Sequence, residues 1–105
     1  MLPSFLVPAY FDPGEEVVGF GEAMREFYII AHGTAVVSQT DAHGTFKREV
    51  ALLNKGEGFG GESILEPNEV HWNVSVSAGE EHLTCLQIDS HRLIENMDHE
   101  SLHLI

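Results

Sequence analysis

A chain of 105 residues holds one domain with a single modest core, and its 43% hydrophobic and 21% charged residues are those of an ordinary globular protein. Its charge is not ordinary: 17 acidic residues against 5 basic ones leave a formal net of −12, a field that repels DNA, RNA and anionic membrane surfaces and argues against a nucleic-acid partner. Cys85 is the only cysteine, so no intramolecular disulfide forms.

The opening MLPSFLVPAY has no basic n-region and so does not read as a signal peptide. Nothing approaches the roughly 18 apolar residues of a membrane span. The last residues, SLHLI, stop on apolar side chains without a helix stop signal. The expectation is a single domain over 1–105, excised from a longer cytoplasmic protein and without membrane insertion.

Short apolar runs are separated by Gly, Pro, Asn and Asp at intervals of roughly ten residues, the rhythm of antiparallel β-structure. Asp12-Pro13-Gly14 is a turn, and Glu16-Val17-Val18 enters a strand after it. Residues 19–22 turn again. Phe27-Tyr28-Ile29-Ile30 is an apolar strand that ends at Gly33, and residues 34–38 continue as the next. Asp41-Ala42-His43-Gly44 makes a hairpin into a strand over 45–53. Further strands are expected over 72–77, where Trp72, Val74 and Val76 alternate with polar residues, and over 83–88. Residues 63–66 fit one helical turn stopped by Pro67, and Asp89 or Ser90 caps a helix carrying Leu93, Ile94 and Met97. About eight strands with helices at the end read as a β-roll or jelly-roll barrel.

The succession Pro13-Gly14-Glu15, Tyr28-Ile29-Ile30, Gly33, Val50-Ala51-Leu52-Leu53, Lys55-Gly56-Glu57, Gly61-Glu62 and Leu86-Gln87-Ile88-Asp89 resembles the cyclic nucleotide-binding domain, as found in cAMP- and cGMP-dependent kinases and gated channels. The resemblance runs from about Phe11 to Met97. It implies a mainly β fold, an eight-stranded antiparallel β-roll over about 11–88 followed by a helical segment over about 89–105, with the ligand in the basket of the roll. It also implies a regulatory, non-catalytic module whose partners are neighbouring domains reached through the C-terminal helices.

In that family the phosphate-binding cassette reads as Gly-Glu, an apolar residue, Ala, a second apolar residue, and later Pro-Arg with two small residues. The Glu holds the ribose 2′-hydroxyl, the Arg holds the cyclic phosphate, and backbone N–H groups of a short helix complete the anion site. Here Gly61-Glu62-Ser63-Ile64-Leu65 fits the first half, with one extra residue in the 58–60 loop. If Phe59-Gly60 is aligned instead, Gly61 falls at the glutamate; the first alignment keeps both the carboxylate and the apolar pattern. The second half departs: Val70-His71 replaces Pro-Arg, and Trp72-Asn73 replaces the two small residues. Ile64 stands where the small Ala is expected.

No Lys or Arg lies between residues 56 and 91. The Arg–phosphate pair contributes roughly 1.5–3 kcal/mol, so its loss costs roughly ten- to a hundred-fold in affinity. The N–H cradle of Ser63, Ile64 and Leu65 supplies a partial charge of about half a unit, against Glu62, Glu66 and Glu69. His71 is the one candidate cation, since an imidazole is the side chain able to carry a proton near neutral pH. The expected site is therefore Gly61, Glu62, Ser63, Ile64, Leu65, His71, Trp72 and Asn73, with weak or absent cAMP and cGMP binding. A neutral nucleoside or other small molecule received through Glu62 and Trp72 is the alternative.

Other chemistries find no support. The glycines at 56, 58, 60 and 61 are followed by no Walker-type Lys. Seven histidines include no His-x-His pair and no Glu-flanked zinc motif, so no metal centre or cofactor is expected. Cys85 alternates with Leu83 and reads as a buried thiol without a His/acid arrangement around it.

Overall fold

A computed structural model of the chain describes residues 6–41, 43, 47–62, 69–89 and 92. Among the described residues, eight antiparallel strands form two four-stranded sheets: β1 (Leu6–Phe11), β2 (Glu16–Val18), β3 (Glu26–His32), β4 (Ala35–Thr40), β5 (Lys47–Leu53), β6 (Gly58–Phe59), β7 (Ser75–Ala78) and β8 (Leu83–Asp89). One sheet runs β1-β8-β3-β6 and the other β2-β7-β4-β5. This is the expected β-roll. Among the described residues no helix is long and apolar enough to cross a membrane.

The core lies between the sheets and follows from side-chain alternation. Tyr28 and Ile30 on β3, Leu83 and Cys85 on β8, Val76 and Ala78 on β7, and Ala35 on β4 point inward and are buried. Val37 and Leu53 pack against this cluster from β4 and β5. β8 sits between β1 and β3, pairing Cys85 with both Ala9 and Ile30, and its Leu83 and Cys85 are fully buried.

Three differences from the expected elements have local causes. β1 was not expected, because Pro8 weakens its strand signal; the strand lies at a sheet edge, where a missing N–H is tolerated. β6 is only two residues long and hidden in a glycine-rich run. The strand expected over 72–77 begins at Ser75 and ends at Ala78. The backbone before it is engaged elsewhere: Trp72 N–H donates to Glu22 O at 2.8 Å, and Trp72 O accepts from Gly21 N–H at 2.8 Å.

The short helix expected over 63–66 and the C-terminal helical segment lie outside the described residues. The expected cap is nonetheless visible, because the Arg92 N–H donates to Asp89 Oδ1 at 3.0 Å, three residues back, as an N-cap does.

Candidate functional site

The glycine-rich run leaves β6 beside β3, where Tyr28 pairs with Phe59 and Ile29 with Gly58. Two glycines here answer to aromatic rings. A Cβ at Gly58 would come 2.7 Å from Phe27 Cζ, and one at Gly60 would come 3.0 Å from Trp72 Cη2 and 2.6 Å from Glu26 O. Gly60 also has φ +92°, a conformation that side chains resist. Gly61 is different: its nearest such neighbour is Phe27 Cε2 at 3.7 Å, an ordinary contact. The glycines at 58 and 60 therefore serve packing, and Gly61 alone of the three is sterically unconstrained.

The second half of the stretch is stitched to the loop before β3. Met24 N–H donates to Val70 O at 2.7 Å, Ala23 and His71 form an isolated bridge, and Trp72 holds Glu22 and Gly21 as above. Trp72 is buried, 5% exposed. Its ring meets Phe59 edge-on, centroids 6.1 Å apart, and Phe59 stacks on Tyr28 at 4.9 Å. Phe59 and Trp72 thus tie β6 to the residue after His71 by an edge-on ring contact.

The expected site residues are distributed accordingly. Glu62 is exposed, Gly61 half-buried, and Ser63, Ile64 and Leu65 lie outside the described residues. His71 is exposed, with Nε2 3.9 Å from Glu69 Oε2, a contact that solvent screens and that contributes little. The Trp72 ring faces the core. Asn73 is exposed and lines a pocket of about 380 Å³ with Gln39, Thr40, Asp41 and Arg48.

Arg48 is the residue that reading along the chain missed. The stretch from 56 to 91 has no cation, but β5 brings one from outside it. Gln39 pairs with Arg48 and Ser38 with Ser75, so both neighbours of β4 converge on this end of the sheet. Arg48 Nη2 donates to Gln39 Oε1 at 3.1 Å. Thr40 Oγ1 is buried there without a hydrogen-bond partner among the described residues. Only the strand register carries this signal; spacing along the chain does not.

Nothing in the described residues resembles a catalytic centre. Cys85 is fully buried, and burial pushes its thiol up to about 11, so the nucleophilic thiolate is scarce at neutral pH. No group of three or more His, Cys, Asp or Glu comes together to hold a metal among the described residues.

Comparison with known proteins matches residues 8–100 to the cyclic nucleotide-binding domain. Human cGMP-dependent protein kinase 2 is 32% identical over 80 residues, 76% of this chain. The chain spans about a tenth of that relative's length, the alignment covering 10% of it. Among solved structures, the catabolite activator protein of Thermus thermophilus superposes with a TM-score of 0.73 at 25% identity, covering 88% of this chain and 41% of that one. The regulatory subunit of a cAMP-independent protein kinase A from Trypanosoma cruzi, bound to guanosine, gives 0.67 at 27% identity, covering 82% and 29%.

Proposed function

The chain belongs to the cyclic nucleotide-binding domain family, and from that premise we propose that it is a regulatory module in which cAMP and cGMP binding is weak or lost. What supports this reading is that His71, which the sequence aligns with the family's phosphate-holding Arg, is exposed and has the Glu69 carboxylate 3.9 Å away. An imidazole facing water and a carboxylate replaces a bidentate guanidinium, so roughly 1.5–3 kcal/mol of phosphate binding is missing. Trp72 offers no compensating ligand contact, because its ring is packed in the core.

Its regulatory output would pass through the segment at 93–105 to neighbouring domains of a larger cytoplasmic protein, a cyclic-nucleotide-dependent kinase in view of the similarity to cGMP-dependent protein kinase 2. Ligand or partner binding would act by shifting the population of two arrangements of that segment.

A second reading is favoured by one specific observation. The Trypanosoma cruzi relative is a cAMP-independent regulatory subunit bound to guanosine. A neutral nucleoside needs no phosphate cation, and Glu62, which the sequence aligns with the family's ribose-holding glutamate, would be available to it.

Calorimetric titration with cAMP, cGMP and a panel of nucleosides at about pH 6 and about pH 7.5 tests both readings. The expected result is no submicromolar cyclic nucleotide binding at either pH. Submicromolar affinity at both would overturn the reading. Nucleoside binding that ignores salt would select the second reading over the first.

A further inference from the structure

β5 is the edge of its sheet, and its residues from Lys47 to Leu52 are all exposed. Alternation puts Leu53 and its partner Ala35 on the core side, so Leu52 and its partner Val36 lie on the outer face. Leu52 is 56% exposed there, and Val50 beside it 45%. Proteins usually blunt an apolar edge strand with charge or cover it, and an uncovered one marks a contact surface.

The Val36–Leu52 pair forms part of a groove of about 830 Å³. Its walls are the three turns at that end of the roll: Gly33 and Thr34, Asn54 and Lys55, and residues 79–81. Two of the walls are tied by the Gly79 N–H donating to Thr34 O at 2.9 Å, and the third by Glu57 N–H to Asn54 O at 3.0 Å. A preformed groove spares a partner the cost of ordering it. Glu49, Glu80 and Glu81 line it against the single cation Lys55.

We propose that this groove docks a partner protein through a segment in which apolar side chains alternate with Lys or Arg. The apolar residues would cover Val36 and Leu52, and the cations would meet Glu49, Glu80 and Glu81. A second copy of this chain is a poor occupant, because it carries the same net −12 and only 5 basic residues. The groove shares no lining residue with the cassette or with the Arg48 pocket, so the proposal stands apart from any reading of the ligand site.

The test is amide NMR of the full chain, titrated with a six-residue peptide alternating Leu and Lys and with its Leu–Glu counterpart. The expected result is saturable shifts at Thr34, Leu52, Gly79 and Glu81 with the Lys peptide and none with the Glu peptide. Leu52→Asp should weaken that binding by about tenfold or more, and Glu80→Gln with Glu81→Gln by about threefold or more. Leu52→Asp adds a negative charge, so a peptide held by the overall field alone would bind it more tightly. Affinity unchanged or increased by Leu52→Asp overturns the proposal, as do shifts spread over the whole acidic surface. Groove amides that move with protein concentration in the absence of peptide identify a second copy as the occupant, and also overturn it. Unchanged thermal unfolding, followed by Trp72 fluorescence, verifies that Leu52→Asp is folded.

Discussion

Gly60 lies against the Trp72 indole, so that a Cβ on Gly60 would stand 3.0 Å from Cη2 and 2.6 Å from the Glu26 carbonyl oxygen. The backbone there has φ +92°. Gly60→Ala should therefore lower unfolding stability by about 2 kcal/mol or more, from backbone strain and the displaced ring together. Gly61→Ala, with its nearest such contact at 3.7 Å, should stay within about 0.5 kcal/mol of the parent. Urea unfolding of both variants checks the contrast. Equal effects would mean that the run is glycine-rich for a reason other than ring packing.

Trp72 is the second half of that contact and the only tryptophan. Its burial between Phe59 and Gly60 predicts that Trp72→Ala costs about 3–5 kcal/mol, enough to unfold a marginal domain. Trp72→Phe keeps an aromatic partner for Phe59 and should cost less than half as much. Circular dichroism melts decide it, since both variants lack the indole. A mild Trp72→Ala would show that the ring is replaceable in the core.

The sequence made most of the roll legible because each long strand carries its own alternation: Tyr28 and Ile30 inward on β3, Leu83 and Cys85 on β8. β6 escaped notice because two residues have no period. The cassette was legible as a motif with its Arg missing. In the sequence Trp72 reads as a bulky residue in the place of a small one, and its core partners are not legible there: Phe59 is thirteen positions earlier, and Gly60 only reveals its role once a ring is beside it. Arg48 was illegible for a related reason. Its neighbour Asn73 is brought there by β4, and such two-step register is invisible to spacing along the chain.

Position 71 offers a direct gain-of-function experiment. His71 is exposed and, among the described residues, its side chain has an ion-pair contact with Glu69 alone, so His71→Arg should fold like the parent. It should raise cAMP or cGMP affinity by roughly ten- to a hundred-fold, with binding that weakens as salt increases. Adding Trp72→Ala would confound the result by opening the core, so the single variant is the informative one. Calorimetry with the parent alongside settles it; no gain would mean that residue 71 does not face the phosphate.

Alkaline pH should weaken the fold through two buried groups. Burial raises the Cys85 thiol from its ordinary 9.0 to about 11. Tyr28 rises from 10.0 to about 12, first by burial and then by the Glu26, Cys85 and Glu22 charges. In the unfolded chain both groups ionise at their ordinary values, so the unfolded state loses protons first and stability falls as pH rises. Unfolding free energy should be insensitive to these groups below about pH 8.5. Above that it should decline by up to about 1.4 kcal/mol per pH unit for each group, until the folded values are passed. Cys85→Ala should cost stability at neutral pH through its cavity, yet flatten the decline between about pH 9 and 11. Denaturant titrations across that range, parent against variant, measure the slope. An identical slope in Cys85→Ala would show that the thiol is not the group being titrated.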